Sequence, residues 1–127
     1  MKYKLIERKN PQKKDEPGKW YASPVNDGKI TQRNIANDIV DLSSLTRGDV
    51  LSTIENLLDT VPKYLLLGKS VNLGSLGTMR ISFSSKGVNK PEDFNTKLIN
   101  KLKVVFTPST DFKNTINKVS FEKEKQS

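Results

Sequence analysis

The change in hydrophobic period around Gly68 is the sequence feature that most constrains the fold. From Val50 to Val61 the apolar residues recur at the spacing of one helical face. From Val71 to Phe83 they instead alternate with polar residues, as in a half-buried strand. Helical segments followed by a block of strands predict an α+β fold.

Two helix starts are encoded by the same local chemistry. Thr31 precedes a run with apolar residues near helical spacing and is predicted to be an N-cap. Thr46 is predicted to cap a second, longer helix, with Asp49 at the third helical position. Pro62 lacks a backbone N–H, so we expect the second helix to end or kink there.

Gly74 and Gly77 lie three residues apart inside the alternating segment. A G-x-x-G loop also occurs in KH domains, where it joins two helices and clamps nucleic-acid backbone. Here strand-like runs flank the pair, which disfavours a KH domain. We interpret the glycines as allowing a two-stranded ribbon to turn, or two backbones to approach closely.

The composition excludes several classes of function. The 127 residues contain no cysteine and no histidine, which removes disulfides, thiolate metal sites and the usual neutral-pH proton shuttle. No spacing of Asp, Glu and Lys assembles a nucleophile, a base and an orienting group, so neither catalysis nor a metal is expected. The first residues lack a signal peptide's apolar run and no span crosses a membrane, which predicts a cytosolic protein.

Positive charge is concentrated at the two ends of the chain. Residues 1–29 carry 8 Lys/Arg against 4 acids, residues 30–68 carry 3 against 5, and residues 69–127 carry 11 against 5, which together give the net charge of +8. A scaffold with a cationic working surface would show this distribution. Solvated lysines without a ligand would produce the same distribution.

The segment G68-K-S-V-N-L-G-S-L-G-T-M-R-I-S82, preceded by two amphipathic helices, resembles the strand-turn-strand of the bacterial histone-like HU/IHF DNA-binding family. The segment F106-T-P-S-T-D-F-K113 resembles the start of that family's C-terminal helix. The resemblance implies an intertwined dimer with a helical base, from which paired β-ribbons rise as arms that embrace the minor groove of bent DNA.

The resemblance also suggests a domain organisation. Residues 30–117 correspond to the HU-like DNA-binding domain. Residues 1–29 are similar to the N-terminal extension of the Bacteroidetes-type variant, and Trp20 and Tyr21 with Tyr3 and Leu5 predict a β-hairpin there. Residues 118–127 are expected to form a short strand, near Val119 and Phe121, and a tail.

The chain departs from the family in the arm. Ser82 and Ser84 stand where the family's arm has basic residues. The family's arm-tip proline wedges between base steps, whereas Pro91 is followed by Glu92 and Asp93. Acids directly after a proline favour the first turn of a short helix over an intercalating tip.

Several cations on or beside the ribbon are predicted to contact DNA. They are Arg80, Lys86, Lys90, Lys97, Lys101, Lys103 and Lys113. Strand alternation places Lys101 and Lys103 opposite the face of Leu102 and Val104. Plain solvation is the alternative for each lysine, and an ion pair with a dimer partner is the alternative for Arg80.

The sequence therefore predicts a homodimer that binds double-stranded DNA without sequence preference, as a nucleoid-associated architectural protein of the bacterial cytoplasm. No cofactor, small-molecule substrate or membrane partner is expected. The alternative is a protein-interaction module that kept the HU fold and lost the DNA-embracing arms.

Overall fold

The computed structural model of the chain describes residues 1–125 and has an α+β architecture, as predicted. Its elements are β1 (Lys2–Arg8), β2 (Lys19–Pro24), α1 (Gln32–Leu42), α2 (Arg47–Leu66), β3 (Val71–Asn72), β4 (Gly77–Ser85), β5 (Ile99–Pro108), α3 (Thr110–Ile116) and β6 (Glu122–Lys123). Within the described part, no helix is long and apolar enough to cross a bilayer.

The chain divides into two compact units. One contains Met1–Thr31 together with the described residues from Asn117 onward, and the other contains Gln32–Ile116. Residues 126 and 127 of the predicted C-terminal segment lie outside the described residues.

The first unit is a three-stranded sheet with the order β2-β1-β6. β1 and β2 form the predicted antiparallel hairpin, in which Leu5 faces Ala22 and Arg8 faces Lys19. β6 runs parallel to β1. The strand expected near Val119 and Phe121 therefore lies slightly later in the chain, at Glu122–Lys123, where it pairs with Lys2 and Tyr3 of β1.

The second unit packs α1 and α2 together and places α2 against a sheet with the order β3-β4-β5. α2 begins as predicted, because Thr46 Oγ1 accepts a hydrogen bond from the Asp49 N–H at 3.1 Å and donates one to Asp49 Oδ2 at 2.8 Å. The first bond satisfies one of the unpaired backbone N–H groups at the helix start, and the second links the two side chains to each other.

α2 does not end at Pro62, contrary to one of the two outcomes expected there. The helix continues to Leu66 and is closed by Gly68, which has φ +78° and donates its N–H to Leu65 O at 2.9 Å. Leu65 is buried, at 6% exposure. Packing of the turn beyond the proline therefore compensates for the one lost hydrogen bond.

The core of a single chain is small. Across the described residues the buried apolar side chains are Ala36, Val50 and Leu65, all on α1 or α2. Large apolar side chains elsewhere on α2 remain half exposed, among them Leu57 at 50% and Leu58 at 52%. The second unit therefore leaves much of its apolar surface uncovered.

Candidate nucleic-acid interface

The two glycines of the ribbon have different structural roles. Gly74 has φ +64° and donates its N–H to Asn72 Oδ1 at 2.9 Å, which forms the tight turn between β3 and β4. Gly77 has φ +149° and lies against the backbone of β5, where a Cβ would meet Thr107 O and Pro108 Cα. Both roles foreseen for the pair, a turn and a close approach, are therefore present.

Ser109 ties this turn to the start of α3. Its N–H donates to Leu76 O at 3.0 Å, and its Oγ donates to Ser75 O. The same Oγ accepts the Phe112 N–H at 3.0 Å, as a helix-capping side chain does. The base of the ribbon and the last helix of this unit are thus joined through one residue.

The β4–β5 ribbon has one apolar face. Met79 pairs with Phe106 and Ile81 pairs with Val104 across the strands. This face and α2 line an open apolar groove of about 480 Å³, formed with Leu57, Leu58, Val61, Pro62, Leu65, Leu66 and Leu73.

The opposite face of the ribbon carries two cations, Arg80 and Lys103, beside Ser82 and Val105. Arg80 faces Val105, and Lys103 faces Ser82, so Arg80 and Lys103 are diagonal neighbours on this face. Such neighbours lie about 7–8 Å apart. Both side chains are exposed, and we call this surface the ribbon cationic face.

Lys101 does not follow the alternation expected for it. The pairing slips between Ser82 and Ser84, so that Lys101 and Leu102 together oppose Phe83 as a β-bulge. Lys101 has φ +53°, a left-handed conformation that places it out of the regular pleat. Lys103 lies on the face opposite Val104, as predicted. Because the bulge interrupts the alternation, Lys101 can no longer be assigned to that face.

The other predicted cations lie beyond the ribbon or on α3. Lys86 begins the β4–β5 connection and donates its N–H to Leu98 O at 3.0 Å, while Lys97 lies in a 3₁₀ turn near the end of that connection. Lys90 precedes another 3₁₀ turn, and Lys113 lies on α3. All four are exposed. Of the predicted residues, the strand register places Arg80 and Lys103 together on one face.

The connection between β4 and β5 is folded locally. Pro91 begins a 3₁₀ turn with Glu92 and Asp93 in its first turn, which confirms the helical turn predicted after this proline. A second 3₁₀ turn spans Thr96–Leu98, and its preceding residue Asn95 accepts the Lys97 N–H at 2.9 Å.

The predicted cations have no acidic partner among residues 1–125. The ion pair found in this part of the chain joins Lys13 and Glu16 at 3.7 Å, on the hairpin loop. Nor do His, Cys, Asp and Glu side chains form a metal-binding cluster in the same residues. The positive charge on the ribbon cationic face is therefore not neutralised by an ion pair within residues 1–125.

The sequence interpretation missed a second group of cations. Lys4, Arg8 and Lys19 share one face of the β1–β2 hairpin, with Tyr21 between them. The alternation in K2-Y-K-L-I-E-R8 was the available signal, because it separates the cations from Tyr3, Leu5 and Glu7.

Comparisons with known proteins agree with this architecture. A family model described as an HU domain fused to a winged helix-turn-helix, Ig or glycine-rich motif matches residues 1–123. A comparison with curated protein sequences found no match.

Two solved structures share the fold. A protein from Bacteroides vulgatus ATCC 8482, described as a bacterial DNA-binding protein, is 18% identical with a TM-score of 0.62, and the alignment covers 96% of this chain and 47% of that one. The chain thus spans about half the length of the Bacteroides protein. The HU protein of an Anabaena HU–DNA cocrystal is 13% identical with a TM-score of 0.55, over 71% of this chain and 100% of that one. With the family model matching nearly the whole chain, and the helix-helix-ribbon-helix order found in the structure, this protein belongs to the HU-HIG family of HU-domain proteins.

Proposed function

We propose that this protein binds double-stranded DNA through its phosphate backbone, without sequence preference, as a homodimer and as an architectural component of the bacterial nucleoid. The observation that carries the proposal is the ribbon cationic face, on which Arg80 and Lys103 are exposed together opposite an apolar face. Membership of the HU-HIG family and the fold shared with a DNA-bound HU protein support it.

The chemistry of the ribbon cationic face suits phosphates. The planar guanidinium of Arg80 can donate two parallel hydrogen bonds to phosphate oxygens, and the Lys103 ammonium adds a point charge. Ser82, opposite Lys103, adds a hydroxyl donor. Contacts of this kind give affinity and a strong dependence on salt, with little discrimination between base sequences.

The apolar groove between α2 and the ribbon supports the dimeric state. Leu57, Leu58 and Val104 line it and are 50%, 52% and 57% exposed in one chain. Burying one such side chain fully contributes about 1.5–3 kcal/mol, so a groove of this size is costly to leave in water. A second copy that inserts its own helices and ribbon would cover it.

The test is the affinity for an arbitrary duplex, measured by fluorescence anisotropy at increasing salt. If a dimer neutralises about six to ten phosphates, binding should fall about 10³- to 10⁵-fold between 50 and 200 mM salt. Arg80→Gln/Lys103→Gln should reduce the slope of log K against log salt by about 1.8 per chain. Arg33→Gln/Lys63→Gln removes the same charge from α1 and α2 and should leave the slope unchanged. A wild-type affinity that does not respond to salt would reject the proposal.

A second candidate function has its own supporting observation. The β4–β5 connection is folded into two 3₁₀ turns and carries Glu92 and Asp93, instead of continuing the ribbon as a basic arm. An HU-fold protein-interaction module would show this feature. It predicts dimers that do not retain DNA, so a gel shift with wild type and Lys101→Glu/Lys103→Glu separates the two functions.

A further inference from the structure

The β1–β2 hairpin has two faces of different character. On one face, Leu5 pairs with Ala22 and Glu7 pairs with Trp20. On the other, Lys4 pairs with Ser23, Ile6 with Tyr21 and Arg8 with Lys19. We call this second surface, defined by Lys4, Arg8, Lys19 and Tyr21, the hairpin basic face.

The hairpin basic face places like charges directly opposite each other. Arg8 and Lys19 are register partners, so their Cβ atoms are about 4.5–5.5 Å apart, a separation at which like charges destabilise a sheet. Glu7, adjacent in sequence to Arg8, projects from the opposite face with Trp20. None of the three cations forms an ion pair with the acids of residues 1–125. The arrangement costs stability in the free chain, and an anionic ligand would relieve that cost.

Tyr21 holds one of these cations in place. The Arg8 guanidinium lies over the Tyr21 ring, with its Cζ 5.8 Å from the ring centroid. A cation–π contact of this kind restricts the long side chain while its donors stay available. Tyr21 is 46% exposed, so the pair is on the surface.

The spacing and composition of the face fit a phosphate backbone. Lys4 and Arg8 are about 13 Å apart along β1, which matches the axial rise of about four phosphates on one DNA strand. Lysine is depleted at protein–protein interfaces, which are built around apolar and aromatic anchors. Trp20, the largest aromatic side chain of the hairpin, lies on the other face, and Ile6 on the hairpin basic face is partly covered. A polyanion is therefore the better fit than a protein partner.

We propose that the hairpin basic face is a second DNA-contacting surface, with Lys4, Arg8 and Lys19 binding backbone phosphates of a duplex. This inference rests on the proposed function and extends it to residues outside the HU-like domain. It gives the N-terminal hairpin a role in affinity, without base recognition.

The experiment uses the full chain and an arbitrary duplex, with anisotropy titrations from 50 to 200 mM salt. Lys4→Gln/Arg8→Gln/Lys19→Gln should lower the slope of log K against log salt by about 2.7 per chain. The factor by which the affinity falls between 50 and 200 mM salt should then be about 40 times smaller than for the wild type, for each chain that contributes. The matched control Lys29→Gln/Lys118→Gln/Lys125→Gln removes three charges elsewhere and should keep the wild-type slope. Lys4→Arg/Lys19→Arg keeps the charge and should bind as the wild type does.

The outcomes separate this inference from the proposed function. If the wild type binds with a steep slope and the hairpin variant matches it, or falls no further than the control, the inference is overturned and the proposed function stands. If the wild type shows no salt-dependent binding, both fall. A far-ultraviolet circular dichroism melt of each variant establishes that the hairpin variant is folded, as expected from the removal of a like-charge pair on the surface.

Discussion

Gly77 lies directly opposite Pro108 at the base of the β4–β5 ribbon, so close that a Cβ on Gly77 would stand 2.9 Å from the Pro108 Cα. The same Cβ would press on the Thr107 carbonyl oxygen, and the φ of +149° is one that side chains rarely adopt. Ser109, next to Pro108, holds the turn before Gly77 through Leu76 O. The close packing of the Gly77 and Pro108 backbones therefore holds the first residue of β4 against the last residue of β5 at the base of the ribbon.

Gly77→Ala should destabilise the protein by at least about 2 kcal/mol, because neither the Thr107 carbonyl nor the Pro108 backbone can move away cheaply. The measurement is urea unfolding at one fixed protein concentration, since the stability of a dimer depends on concentration. Gly87→Ala is the matched control. A Cβ there meets nothing within 4 Å, so the change should stay within about 0.5 kcal/mol. Equal effects of the two substitutions would contradict this account of Gly77.

Thr46→Ala should lower the free energy of unfolding by about 1 kcal/mol, because the Asp49 N–H loses its acceptor at the start of α2. Thermal or urea unfolding measures the effect. Thr60→Ala makes the same chemical change inside α2 and should be neutral or slightly stabilising, since alanine is the better helix former. A loss at Thr60 as large as that at Thr46 would show that the cap is not the cause.

Features that depend on neighbours in sequence could be predicted. The Thr46 cap uses a group three residues away, and the 3₁₀ turn at Pro91 follows from a proline with two acids after it. The turn at Gly74 likewise depends on Asn72, two residues earlier. In each case the sequence supplies both partners of the interaction.

Features that depend on distant pairing could not be predicted. The bulge at Lys101 results from how β5 registers against Ser82 and Ser84, and no residue near Lys101 signals it. The continuation of α2 through Pro62 depends on the burial of Leu65. The alternation of residues along β5 therefore predicted the face of Lys103 correctly. It could not predict the face of Lys101, because the bulge interrupts the alternation there.

Leu58→Glu should weaken the proposed dimer by about 100-fold or more, because the carboxylate would be buried without a partner in the apolar groove. Sedimentation velocity over a range of concentrations measures the dissociation constant. Leu5→Glu, on the hairpin, introduces the same charge at a residue that is also half exposed, and should leave association unchanged. Some dimers have no stable folded monomer. If Leu58→Glu unfolds the protein and Leu5→Glu does not, the result therefore also agrees with the prediction. A folded dimer of wild-type affinity would contradict it.

Glu92→Gln/Asp93→Asn should tighten DNA binding about 3- to 10-fold at 50 mM salt, because the β4–β5 connection continues from the ribbon cationic face and its carboxylates repel phosphates. The gain should shrink as salt rises, since exposed charges are screened. Asp38→Asn/Asp41→Asn removes two carboxylates from α1 and serves as the control. If the Glu92 and Asp93 substitutions leave the affinity unchanged, the connection lies away from DNA and the interaction-module alternative is favoured. If these substitutions raise the affinity and the α1 substitutions do not, the connection lies close to the bound duplex, as the proposed function requires.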